Sequence, residues 1–398
     1  MASVLAWLDT DDAQQQQMRE LIALFKDEST VDELGIGTIR DTFADALFPA
    51  TSVLHTRSRY LLFVPWLLRD VARHGWPSER AATVFRAAEI KLIDALLAGG
   101  EEQGVIGSVA RKNLKRMPSA AYWVATGRLG IRRWDLSVAG HFRAATAQLT
   151  TSRIPLSGDP EDATVARPDL GVDPSLPAPP DDLLDEASFA LSGEEAAYLQ
   201  DRIAQSCHGT VFAWLAQHGQ PTRADYPWQH EQFSELPDDL QVTLDHARRF
   251  HHAIYGAPLL YNLMLAERRS DEDQQHDVRA EIADWRDELD QHRVFEGWDR
   301  RALWAELLRQ HPTPRPATRL FVDRWLDVAG SGGDPAENRQ ARDLIADRER
   351  RLKGSRSRLT NTAALNTGSE RAGLVRFDYR WRIAQSHLSD IYAGLGVN

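Results

Sequence analysis

The chain has 398 residues, 42% of them hydrophobic, enough to bury sizeable cores, so a folded, soluble protein is expected rather than a disordered one. Its one cysteine, Cys207, excludes an internal disulfide or a thiolate metal cage, and an apolar helical setting marks it as a buried structural thiol. The net charge of −11 is unevenly spread: residues 111–133 hold seven Lys or Arg and no acid, and residues 348–382 hold ten against three acids. Such segregation suits two local surfaces that meet phosphates or an acidic partner while the rest of the chain repels them.

The first residues carry Asp9, Asp11 and Asp12 without a basic n-region, so no signal peptide is expected. No uncharged apolar run reaches the roughly 18–20 residues of a membrane span, and the expected location is the cytoplasm. Met18, Leu21, Ile22 and Phe25 share a helical stripe over 12–25, and Ile39, Phe43, Ala46 and Leu47 another over 38–48. Thr51–Ser52 reads as the start of a buried helix that kinks or ends near Pro65. Ser78 reads as an N-cap, with Gly99–Gly100 as the stop. Seven prolines among Asp, Ser and Gly then interrupt the pattern over 152–186. Beyond them, Ser192 and Glu195 form a capping box for a helix through Leu215. Further helices are expected over 239–268, 278–292, 299–310, 317–328, 335–352 and 375–394. The fold class is mainly α: an N-terminal helical domain over 1–150, a Pro/Asp-rich linker over 151–188, and a C-terminal helical domain over 189–398 with a basic C-terminal segment.

The stretch "HTRSRYLLFVPW" at 55–66 sets Arg57 and Arg59 against the most apolar run in the chain. Beside such a run a guanidinium needs a carboxylate or carbonyl, because an unpaired buried charge is costly. Asp32, Glu33, Asp41 and Asp45 are the local candidates for structural ion pairs; a phosphate-facing pair is the functional alternative.

Motifs of known chemistry are missing from the sequence: no phosphate-binding GxxxxGK[ST], no HExxH, no CxxC and no HxK dyad. Asp245, His246, His251 and His252 are the closest to a metal-ligand cluster, but His246 and His251 lie about 140° apart on a helix and do not converge. Neither a metal site nor a cofactor is expected. The segment "RKNLKRMPSAAYWVATGRLGIRRW" has two readings. Its central helix is either the second helix of a helix-turn-helix-like element, with Arg111, Lys112, Lys115, Arg116, Arg132 and Arg133 on phosphates, or a core element anchored by Tyr122 and Trp123 with a solvated basic rim. In "RERRLKGSRSRL" a helix should stop near Gly354, leaving Lys353, Arg356 and Arg358 to project, with Arg380 and Arg382 of "YRWRI" able to join them.

Several stretches taken together resemble a bacterial family of unknown function: "WLD" at 7–9, "DELGIGTIRDTFADALFPATS" at 32–52, "TRSRYLLFVPW" at 56–66, "MPSAAYW" with "LGI" at 117–131, "LSGEEAAYLQDRI" at 191–203, "YGAPLLYNLMLAE" at 255–267, "LKGSRSRL" at 352–359 and "DYRW" at 378–381. Ala50 stands where the "LFPGTS" form has glycine, and residues 360–376 fit the pattern poorly. The resemblance implies a companion of helicases, methyltransferases and phospholipase-D-like nucleases in antiphage defence gene clusters, with no assigned catalytic residues. The expectation is therefore a non-catalytic component that binds DNA or bridges it to partner enzymes. The alternatives are a cryptic nuclease or hydrolase effector and a purely protein-binding assembly subunit.

Overall fold

The computed structural model describes residues 32–152, 168–310, 313–366 and 371–397. The expected helix over 12–25 and residues 153–167 of the expected linker lie outside them. Among the described residues there are fourteen α-helices and no strand, so the chain is mainly α. In chain order they are α1 (Gly37–Leu47), α2 (Tyr60–Ala72), α3 (Ser78–Ala98), α4 (Pro118–Arg128), α5 (Val138–Ser152), α6 (Gly193–Ser206), α7 (Val211–His218), α8 (Asp238–Arg269), α9 (Glu272–Gln291), α10 (Arg300–Arg309), α11 (Pro316–Gly330), α12 (Arg339–Lys353), α13 (Thr362–Leu365) and α14 (Trp381–Leu395). No helix among them is long and apolar enough to cross a membrane.

The described residues group into two compact units, and neither is a continuous stretch. Unit A takes residues 32–43 with Asp245–Phe377; unit B takes Ala44–Leu244 with residues 378–397.

Unit B is built around α2, in which every residue from Tyr60 to Leu68 is buried. A helix apolar all round must be covered on all sides, and α2 packs against both α3 and α4. It does not begin at Thr51–Ser52. The Thr51 hydroxyl donates to the Phe48 carbonyl, and the backbone N–H groups of Thr56 and Arg57 donate to the Tyr122 hydroxyl at 2.8 and 3.1 Å, so the segment spends its polar groups on partners outside a helical turn. Pro65 lies inside the helix rather than ending it. Proline removes one backbone donor, and the burial on both sides outweighs that loss.

Ser78 is the first residue of α3 rather than its cap, and no side chain caps that end. The stop is as the glycines predict: a Cβ on Gly99 would come within 2.1 Å of the Ala187 carbonyl oxygen, and Gly100 has φ +83°. The Ser192–Glu195 capping box is present, yet its helix ends at Ser206 instead of running through Leu215. Gly209 turns the chain at φ +73°, and Thr210 caps α7 by accepting from the Ala213 N–H. Cys207 is buried in this corner, where burial pushes its thiol up to about 11. Helix α14 begins at Trp381 rather than 375, because Tyr379 and Arg380 reverse the chain with φ +52° and +65°. It packs on α6 and α7.

Unit A centres on α8, with Phe43, Phe250, Tyr261, Trp285, Trp325 and Ile345 in the core. Pro258 lies inside α8 and cannot donate to the Ile254 carbonyl one turn back. There the indoles of Trp285 and Trp325 donate to the carbonyls of His252 and Ala253 at 2.7 and 2.9 Å. A Cβ on Gly256 would meet Trp285 at 2.3 Å, so only glycine lets this ring lie on the helix.

Candidate nucleic-acid interface

The basic loop between α3 and α4 is held down by α3. A Cβ on Gly107, at φ +87°, would strike Leu114 at 2.5 Å and Ile93 at 3.1 Å, so the loop closes tightly over the helix. Arg86 donates to the Leu114 carbonyl at 2.7 Å. Arg111 pairs with Asp94 at 2.9 Å. Glu89, buried beneath the loop, accepts from the Ser119 N–H at 2.7 Å and so satisfies an open donor at the start of α4. Burial pushes the Glu89 carboxyl up to about 7, against the opposing pull of that hydrogen bond.

What the clamp leaves outside is basic. Arg111, Lys112 and Lys115 are exposed and Arg116 is half-buried. Val109, at 97% exposure, marks how far the loop stands out. Lys112, Lys115 and Arg116 have no ion-pair or hydrogen-bond partner among the described residues. Three such cations within five residues form a surface that an anion with several negative groups would neutralise at little desolvation cost.

Helix α4 itself does not present a reading face. Pro118, Ser119, Ala121, Tyr122, Ala125 and Thr126 are buried, and its exposed positions are Ala120, Val124 and Arg128. A recognition helix needs several polar side chains on its outer face; this one offers a single guanidinium, itself 3.6 Å from Asp45. Tyr122 is a core anchor whose hydroxyl holds the 56–57 backbone. Arg132 is buried, its guanidinium 4.2 Å from the Trp123 ring centroid and donating to the carbonyls of Trp123, Trp134 and Leu136, so it faces no phosphate. Arg133 is exposed but pairs with Asp169 at 2.8 Å.

The C-terminal basic segment is mostly consumed inside the protein. Its hub in unit A is Glu349, fully buried, which accepts from the Tyr261 and Ser357 hydroxyls and the N–H groups of Arg358 and Leu359. Gly354 ends α12 at φ +55°, as glycine there predicts, but the chain that follows wraps this carboxylate instead of projecting. Lys353 pairs with Glu33, and burial, ahead of nearby Arg358 and Arg356, pulls its ammonium down to about 8. Arg358 is 3% exposed and faces the same Glu33. Arg380 belongs to unit B, where it donates to Asp45 at 2.8 Å and to the Thr51 carbonyl at 3.1 Å. Arg356 and Arg382 are exposed.

Arg57 and Arg59 are ion-paired within unit B, though not with the neighbours expected. Arg57 donates to Asp390 on α14 at 2.8 Å, and the same carboxylate takes the Ser58 N–H and hydroxyl. Arg59 donates to Glu195 at 2.7 Å and to the Ser188 carbonyl at 2.8 Å. Asp32 instead caps α1, accepting from the N–H groups of Ile36 and Gly37 at 2.8 and 2.6 Å, and Asp41 pairs with Arg40. His55, stacked on Tyr122, meets His387 at 3.2 Å; all three are buried, so this node serves packing.

The histidine run on α8 diverges: His246 accepts from the Trp298 indole, His251 meets the Phe377 carbonyl, and Asp245 takes Arg248 and Arg249. His252 does come together with two residues the sequence reading passed over, Glu288 of α9 and His292, whose ligand-type atoms lie within 4.8 Å of one another. Arg376 donates two parallel hydrogen bonds to Glu288, at 2.9 and 2.6 Å; against burial, which pushes it up, the hydrogen bonds from His252 and Arg376 hold that carboxyl down to about 2. The carboxylate therefore already has its cation.

A family model described as a family of unknown function (DUF6361) matches residues 2–394. The chain belongs to that family. No curated protein and no solved structure matches it. In this DUF6361 chain, "DELGIG" is the cap of α1 and the seat of Glu33, "TRSRY" carries the Asp390 and Glu195 pairs, and "LKGSRSRL" wraps Glu349. Each stretch ties together segments distant in the chain.

Proposed function

We propose that this protein binds nucleic acid through its phosphate backbone, at the loop carrying Lys112, Lys115 and Arg116, as a non-catalytic component of an antiphage defence system that bridges nucleic acid to partner proteins. The observation that carries the binding reading is that these three cations are clamped outward with no partner among the described residues. The defence setting rests on the resemblance of the sequence stretches alone. The outer face of α4 has too few polar groups to read bases, so recognition is of charge and shape rather than sequence.

Fluorescence anisotropy on a labelled duplex oligonucleotide tests this. Three or four neutralised phosphates give a log-log salt slope of about −3 to −4. Replacing Lys112, Lys115 and Arg116 together by Ala should flatten the slope to about −1 or less and weaken binding to all sequences alike. A wild-type protein that binds no nucleic acid at low salt, or a triple variant that binds as wild type, overturns the proposal. Cleavage of the oligonucleotide that survives rigorous purification would support the effector alternative instead.

A further inference from the structure

The basic loop runs directly into the outer face of α4 in unit B. The helix begins two residues after Arg116, and Ala120, Val124 and Arg128 follow one another a turn apart on its exposed side. Val124 is 74% exposed, which makes it, after Val109 of the adjoining loop, the most exposed large apolar residue among those described. Trp123 lies half-buried beside it, and its indole donates to the carbonyl of the exposed Leu136 at 3.0 Å. The Arg132 guanidinium covers one face of that indole at 4.2 Å, so the ring is fixed before any ligand arrives. The surface is an apolar strip with the unpaired Lys112, Lys115 and Arg116 at one end and Arg128 at the other.

We infer that the nucleic acid held by the loop is single-stranded, with its unpaired bases lying along Val124 and Trp123 on the outer face of α4. This rests on the phosphate-binding reading of the loop and adds what the neighbouring strip contributes. A duplex shows its phosphates outside and keeps its base faces stacked inside, so it meets the cations but presses charged backbone against apolar side chains. An unpaired strand supplies both halves of the match: a backbone for the loop, and base faces that lose water on apolar and aromatic groups. Ala120 to Arg128 spans about 12 Å, room for about three bases at a stacking rise of about 3.4 Å. The scarcity of polar groups on this face then has a consequence for specificity. Every base has a face of the same kind, so the strip accepts strands of any sequence.

Anisotropy with the full chain and three labelled ligands tests this: an oligothymidine, an abasic strand of the same length, and a duplex. The oligothymidine should bind about tenfold or more tighter than the abasic strand, whose phosphates are the same. That ratio should hold while rising salt weakens both, because base contacts release no counterions. Val124→Ser, an uncharged change at an exposed position, should reduce the ratio by about threefold and leave the abasic and duplex affinities unchanged. A ratio near one overturns the inference while phosphate binding by the loop stands; failure of all three ligands to bind overturns both. A ratio untouched by Val124→Ser puts the bases elsewhere and sinks the assignment to α4. Duplex bound more tightly than oligothymidine at physiological salt does the same for the single-strand preference.

Discussion

Residues 111–133 and 348–382 carry the same excess of seven positive charges, and the protein holds the two segments differently. In the first segment the loop is fastened by its backbone and apolar side chains, through Gly107, Leu114 and Glu89, and three cations are left over. In the second, carboxylates distant in the chain have claimed five of the ten cations, Glu33 for Lys353 and Arg358, Asp45 for Arg380, Glu281 for Arg371, and Glu288 for Arg376, and the exposed Arg351 and Arg356 of unit A and Arg382 of unit B are left over. Local charge excess thus marks where the chain is basic, whereas availability for a ligand depends on which acids the fold delivers.

The two segments differ most at Arg358, buried in one, and Lys115, exposed in the other. Arg358→Glu places a carboxylate beside Glu33 in a buried site and should cost about 3–5 kcal/mol of stability, read by denaturant unfolding. Lys115→Glu on the exposed loop should stay within about 0.5 kcal/mol of wild type. Equal effects at the two positions would erase the distinction between the segments.

Glu89 sharpens it from beneath the exposed loop. Its folded pKa of about 7 lies above the ordinary carboxylate value, so its contribution to stability is fully present below about pH 4.5 and is lost as pH rises through 7. A shift of that size is worth on the order of 3 kcal/mol across the window. Glu89→Gln keeps an acceptor for the Ser119 N–H without the charge, so its stability should gain on wild type as pH rises from 5 to 8. Parallel pH profiles for the two proteins would show that the carboxyl under the loop titrates normally.

The smallest effect lies at the turn that serves Arg380. Ala50 has φ +62°, a left-handed conformation that favours glycine, and Thr51 beside it supplies the carbonyl that Arg380 uses. Ala50→Gly should stabilise unit B by about 0.5–1 kcal/mol by removing Cβ strain, and thermal unfolding should move up accordingly. A loss of stability would mean that the alanine methyl, which is buried, contributes more in packing than the backbone loses in strain.

The sequence by itself determined the helical class, the capping box at Ser192, the glycine stops at 99–100 and 354, the buried Cys207 and the need of Arg57 and Arg59 for partners. These are local matters: propensity, spacing, φ preference and the cost of an unpaired charge act within a few residues. It misplaced the starts of α2 and α14, because both depend on distant groups: the Tyr122 hydroxyl that takes the 56–57 backbone, and the Asp45 and Thr51 carbonyl that hold Arg380 at its left-handed turn. For the same reason it could name neither Asp390 and Glu195 as partners nor Arg132 and Arg358 as buried. Only the tertiary structure brings together residues more than 100 positions apart, and the desolvation they share there separates a cation kept for the fold from one left to meet a ligand.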